Sequence, residues 1–165
     1  MPAEPTPPHN GRPAATPAQA LAAMDDLIAA SMVGQQETAQ RLGLNVTDLT
    51  CFAYVIQAGE NLLTAGDLAT RVHVTTGAVT GILNRLERAG YVTRRPDPED
   101  RRRVRVAAIP SAVARVHALY EPYYARLGAL FADYSPQETA VLTDWFTRAT
   151  TLANAYREEL RLHDS

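Results

Sequence analysis

The sequence predicts a mainly α fold with a small β component (α+β), and three observations predict it. Apolar residues recur at three- and four-residue steps through most of the chain. In its middle, two short helices, the second capped at both ends, are joined by a turn of three to four residues. Directly after them the period drops to two, over two strands separated by proline and acidic turn residues. Helix, turn, helix and hairpin in that order make a winged helix-turn-helix, here set between long N- and C-terminal helices.

The chain has 165 residues, 46% of them apolar, enough for one domain with its own core. Six of its eleven prolines fall within residues 1–17, and no large aliphatic residue stands between Met1 and Leu21. Residues 1–16 are therefore expected to be a disordered proline-rich tail, since they bury too little to offset their ordering entropy. From Pro17, Leu21, Met24, Leu27, Ile28 and Met32 define the apolar face of a helix that ends near Gly43. A second helix is expected from a Thr47 cap, with Leu49, Phe52, Ala53 and Ile56 inward and its end at Gly59.

Thr64 to Arg71 reads as a short helix with Leu68 and Val72 on its apolar side. The turn His73-Val74-Thr75 follows, and Thr75 caps a helix over 76–89 that buries Val79, Ile82, Leu83 and Leu86. Gly90 stands where a left-handed residue closes a helix. Tyr91–Arg95 and Arg103–Ile109 read as the strands of the wing. Ser111 is the expected cap of the next helix, and Pro122 is expected to kink or split it near Glu121. Ser135 with Glu138 makes a capping box for the last helix. There Leu142, Trp145, Ala149, Leu152 and Tyr156 step by three and four, the spacing of a helix–helix seam. Part of that stripe needs a partner beyond its own chain, such as a second copy.

Composition excludes several chemistries. All sixteen basic residues are arginine, so a phosphate-loop lysine, a Schiff-base lysine and a lysine general base are impossible. One cysteine, Cys51, forms no intrachain disulfide, and four scattered histidines give no zinc-ligand spacing. No membrane span or signal peptide is evident, so a cytoplasmic location without membrane contact is expected.

Charge is unevenly placed. Residues 71–105 hold nine arginines against four acids, a net +5, while the remainder holds seven against fourteen, a net −7. Six of the nine fall in residues 94–105. A positive patch on an acidic body is the electrostatic footprint of a phosphate-binding surface. A solvated strand with local Asp–Arg pairs is the plainer explanation of such a run. Its position on a hairpin directly after a helix-turn-helix favours double-stranded DNA.

The same residues carry a family resemblance. Leu63-Thr-Ala-Gly-Asp-Leu-Ala, Thr75-Thr-Gly-Ala-Val-Thr-Gly-Ile-Leu-Asn-Arg-Leu-Glu-Arg-Ala-Gly-Tyr-Val and Arg94-Arg-Pro-Asp-Pro-Glu-Asp-Arg-Arg102 closely resemble the MarR family of bacterial transcriptional regulators, over about residues 20–162. The resemblance implies a homodimer whose N- and C-terminal helices interlock. It also implies a protein that mostly represses transcription and often leaves DNA when a small molecule binds. On that basis 17–45 and 111–162 are dimerisation helices and 46–110 the DNA-binding domain. The helix over 76–89 would enter the major groove. Its face holds Thr76, Gly77, Ala78, Thr80 and Gly81, with Asn84 and Arg85 one turn on and Thr75 at its cap. Asp100 would hold the wing tip while Arg102 reaches into the minor groove, and Arg94, Arg95, Arg101 and Arg103 would contact phosphates. Two departures stand out. The recognition helix opens on glycine and alanine, which shifts specificity toward shape and wing readout. The wing leaves through Ala-Ile-Pro-Ser where a Leu-Thr-x-x-Gly-like exit is common in the family, which leaves the exact start of the next helix open, though not the fold.

Other residues admit plainer roles. Cys51, beside core positions and away from any basic residue in sequence, reads as a buried inert thiol and not a redox sensor. His73 and His117 read as structural histidines. Tyr120, Tyr123, Tyr124 and Trp145 read as core or dimer seam ahead of an effector pocket. No cofactor is implied, and no catalytic motif stands out, so an enzyme is the losing class. The competing reading is a dimeric winged-helix protein-interaction module with only weak, nonspecific DNA affinity.

Overall fold

The computed structural model describes residues 13–97, 100 and 103–163. The elements are α1 (Pro17–Arg41), α2 (Val46–Ala58), β1 (Leu63–Thr64), α3 (Ala65–Val72), α4 (Thr76–Arg88), β2 (Val92–Pro96), β3 (Val104–Ala108), α5 (Pro110–Leu130) and α6 (Pro136–His163). A single 3₁₀ turn, Phe131–Asp133, lies between the last two. Two compact units emerge, Ala15–Glu121 and a second built from 122 onward.

Local chemistry sets the boundaries. Thr16 and Gln19 make a reciprocal capping box on α1, with Pro17 at its first position. Asn45, not Thr47, caps α2, because its Oδ1 accepts the Asp48 N–H at 2.7 Å and the helix is already under way at Val46. Gly90 (φ 73°) closes α4 in the left-handed conformation that side chains disfavour. The helix after the wing starts at Pro110, so Ser111 is inside it and caps nothing. Proline fits the first helical position, where its missing N–H has no partner to lose, and the Ile109 carbonyl accepts the Ala112 N–H at 2.9 Å. Pro122 does not split that helix either. It and Ala118 are both exposed, so the carbonyl it deprives of a partner is open to water. Ser135 and Glu138 form the expected box.

The sheet is three-stranded, antiparallel, in the order β1-β3-β2. The two-residue strand β1, absent from the sequence reading, pairs Leu63 with Val106 and Thr64 with Arg105. Between β2 and β3, Val92 faces Ala108 and Arg95 faces Arg105. The core of the first unit joins Leu49, Phe52 and Val55 of α2, Leu68 of α3, Val79, Ile82, Leu83 and Leu86 of α4, and Val92 and Val106 of the sheet. Tyr91 locks the corner. Its ring meets Phe52 edge-to-face at 5.1 Å, and its hydroxyl donates to the Leu42 carbonyl at 2.6 Å. The Arg115 guanidinium lies 4.6 Å over the same ring.

Each unit also leaves an apolar face uncovered. Leu21, Leu27, Ile28 and Met32 of α1 are exposed, as are Trp145, Leu152 and Tyr156 of α6. Four threonines of α6 satisfy their hydroxyls within the helix. Thr143, Thr147, Thr150 and Thr151 each donate to the carbonyl one turn back.

Candidate nucleic-acid interface

The site begins at α3. The Asp67 N–H donates to Thr64 Oγ1 (3.2 Å), while the Thr64 N–H and hydroxyl donate to Asp67 Oδ2 at 2.8 and 2.7 Å. The backbone N–H first and the hydroxyl second hold the Asp67 carboxyl below its ordinary value of 3.8. The helix ends at His73, in the left-handed region at φ 56° and ψ 47°. It is exposed, and the only non-glycine residue with positive φ among the described residues. This reversal delivers Thr75, whose Oγ1 accepts the Ala78 N–H at 3.2 Å and opens α4.

The opening face of α4 is bare. Thr75, Thr76, Gly77, Ala78 and Thr80 are exposed and Gly81 is half-buried, while Val79, Ile82, Leu83 and Leu86 fill the core behind them. A Cβ on Gly77 would meet nothing nearer than Thr75 Oγ1 at 3.9 Å, and one on Gly81 nothing nearer than Arg85 Nη1 at 3.8 Å. These glycines thus present backbone outward without any internal contact requiring it.

Farther along, three arginines are tied inside the domain. Arg85 donates from Nε and Nη2 to both oxygens of Asp48, at 2.9 and 2.6 Å. That hydrogen bond, assisted by the carboxylate charge, raises the guanidinium pKa above its ordinary value. Arg94 donates to Glu87 Oε2 (2.8 Å) and Asn84 Oδ1 (2.7 Å). Arg105 donates to Asp97 Oδ2 (2.5 Å) and the Leu62 carbonyl (2.6 Å), bridging wing and β1. Neutralising Arg105 also relieves the repulsion from Arg95 directly across the strands.

Four others, Arg71, Arg88, Arg95 and Arg103, are exposed and take no carboxylate partner among the described residues. Arg88 donates from Nε to the Asn84 carbonyl at 3.2 Å, and Arg71 lies over the Tyr54 ring at 5.9 Å. Asp100 is exposed, its N–H donates to Asp97 Oδ1 at 3.2 Å, and its carbonyl accepts the Arg103 N–H at 2.8 Å. Arg101 and Arg102 lie outside the described residues. The buried acids Asp48 and Asp97, each 2% exposed, were not singled out in the sequence. Asp48 looks there like an ordinary first-turn acid and Asp97 like turn chemistry, because their partners lie on other elements.

The remaining candidates are placed as follows. Cys51 is buried, and burial, then the Asp48 charge, pushes its thiol up to about 11. Tyr120 packs at the margin of the core. Tyr123 and Tyr124 are exposed and edge-to-face at 5.8 Å, and Trp145 meets Phe146 at 5.4 Å. His117 is exposed. Among the described residues no cluster of metal-ligating side chains is present, and no helix is long and apolar enough to cross a membrane.

Comparison with known proteins sets this geometry in a family. The MarR family model matches residues 42–103, from the end of α1 into the wing. The uncharacterized HTH-type transcriptional regulator YcgE of Bacillus subtilis (strain 168) is 33% identical over 126 residues, 76% of this chain and 80% of YcgE. The chain belongs to the MarR family. It is a MarR-family transcriptional regulator with a winged helix-turn-helix. The HTH-type transcriptional repressor YetL, also of B. subtilis (strain 168), is 28% identical over 110 residues, 64% of this chain and 66% of YetL. Staphylococcus aureus MepR, solved as a DNA complex, shares the fold at a TM-score of 0.58 and 19% identity, over 78% of this chain and 96% of that one. MepR bound to ethidium bromide gives 0.57 at 19% identity, over 78% and 95%.

Proposed function

We propose that this MarR-family regulator is a homodimeric repressor that binds a pseudo-palindromic operator and is released from it by a small-molecule effector. The observation that carries the reading is the bare opening face of α4, set between the helix-turn-helix corner and a wing with free guanidiniums on an otherwise acidic chain. Residues 46–110 act as the DNA-binding domain. Thr76, Ala78 and Thr80 meet base edges, and Gly77 and Gly81 let the helix backbone approach them. Thr75 leaves the positive end of the helix facing the phosphates. Arg95, Arg101 and Arg103 fix register on phosphates, and Arg102 enters the minor groove beside Asp100. The helices within 17–45 and 111–162 form the dimer, a role supported by the apolar faces that α1 and α6 leave exposed. The repressor YetL supports the sign of regulation, and MepR, with its DNA and ethidium complexes, supports DNA and effector binding.

Binding to a labelled operator duplex, with stoichiometry from sedimentation, tests this reading. Two chains per duplex are expected, with affinity falling as salt rises and at least tenfold weaker binding in Arg102→Ala. One chain per duplex, or equal affinity in the variant, overturns it.

A further inference from the structure

One wing side chain hydrogen-bonds to two residues of the recognition helix. Arg94 on β2 donates from Nη1 to Glu87 and from Nη2 to Asn84, two acceptors three residues apart on one face of α4. A guanidinium carries donors only, so the Asn84 atom that faces it must be the carbonyl oxygen. The amide nitrogen is thereby turned away. Asn84 is exposed, and that nitrogen has no acceptor among the described residues. Arg94 is half-buried, with Glu87 neutralising its charge. It is a poor phosphate anchor in this arrangement, unlike its exposed neighbour Arg95.

A free asparagine reads adenine with both ends of its amide, the oxygen accepting from N6 and the nitrogen donating to N7. With its oxygen turned onto Arg94, Asn84 presents its amide nitrogen, a donor, outward. The base edge that matches two donors is guanine, with acceptors at N7 and O6. We propose that Arg94 is a positioning residue that turns the Asn84 amide nitrogen outward as the reading donor, so that each half-site carries a guanine opposite Asn84. This rests on the reading of α4 as the base-contacting helix. It reassigns Arg94 from backbone anchor to specificity.

The test compares wild type with Arg94→Ala, Arg94→Lys, Asn84→Ala and the Asn84→Ala/Arg94→Ala double variant. Each is titrated with the selected operator, with its single-base variants and with a random duplex, at several salt concentrations. In Arg94→Ala, operator binding is expected to weaken about tenfold, with preference lost at one guanine per half-site. Random-duplex binding and the salt slope stay unchanged. Lysine does not rescue, because it lacks the fork that holds two acceptors, and the double variant is no worse than Asn84→Ala. The opposite pattern overturns the proposal: equal loss on every duplex, a salt slope shallower by about 0.9, and rescue by lysine. Asn84→Asp keeps an acceptor for Arg94 but replaces the donors, and it moves the preference at that position to cytosine, whose N4 donates. An unmoved preference in that variant also overturns the proposal, even if Arg94→Ala fails to fold. A wild-type protein with no preference among duplexes instead removes the underlying reading of α4, and this proposal with it.

Discussion

Arg85 of α4 grips Asp48 of α2 with a two-pronged bond, one partner 46% exposed at its side chain and the other 3%. The pair is a lever arm: the arginine fixes the angle of α4 from its solvent side, and the carboxylate is buried with no other basic partner among the described residues. Removing Arg85 leaves an unpaired buried charge, whereas removing Asp48 leaves a guanidinium that water can solvate. Arg85→Ala is therefore expected to destabilise the fold by about 2 kcal/mol, discounted for the exposed half of the pair. Asp48→Asn, which keeps an acceptor, should cost about half of that. Urea denaturation of the two variants checks the order, and a larger loss in Asp48→Asn would refute it.

Stability and DNA binding should part company at Gly77 and Gly81. Both have room for a methyl group within the protein, and alanine is favoured over glycine in a helix by about 0.5–1 kcal/mol per site. The double variant Gly77→Ala/Gly81→Ala should melt at a higher temperature while binding operator at least tenfold more weakly, because the added methyl groups hold the helix off the bases. Thermal melts and DNA titration on one preparation check both halves.

Much of this site was legible in the sequence because its signals are local. Thr75 and Gly90 bracket α4, Ser135 and Glu138 open α6, and the switch from a helical period to alternation marks the wing, all within a few residues of one another. What escaped was contact at long range. Asp48 and Arg85 stand 37 positions apart, and Arg105 and Leu62 stand 43 apart, so no periodicity links them. Arg94 shows the same limit over a shorter span. As a strand arginine it reads as a phosphate contact, and only the fold brings it to Asn84 and Glu87. Strand β1 was too short for alternation to reveal, since two residues define no period. The cap of α2 was misplaced by two positions because Asn45 and Thr47 are both good caps.

Cys51 should be chemically silent in the native protein. With its thiol pushed up to about 11, only about one molecule in a thousand is ionised at pH 8, and burial blocks access as well. Iodoacetamide at pH 8 should leave it unmodified in buffer and label it fully in urea. The raised pKa also favours the folded state while the thiol is neutral. That contribution is complete below the ordinary 9.0 and fades as pH rises through about 11. Rapid native-state labelling would contradict the placement.

The capping box of α3 sets an acid limit of its own. Because Thr64 holds the Asp67 carboxyl below 3.8, the ionised cap stabilises the helix above that pH. The benefit is lost as pH falls through the lower folded value. Thr64→Ala should destabilise the domain by about 1 kcal/mol at neutral pH and by less at acid pH, as the wild-type cap takes up its proton. Urea midpoints of both proteins at the two pH values check the convergence.

The central claim is that α4 and the wing of a two-fold dimer read DNA, and selection of bound duplexes from a random pool tests it most directly. The expected result is an inverted repeat whose half-site centres lie about 34–36 Å apart, one helical turn, with enrichment abolished in Arg102→Ala. A pool that stays unenriched at low salt, or enriches equally with the variant, would contradict it.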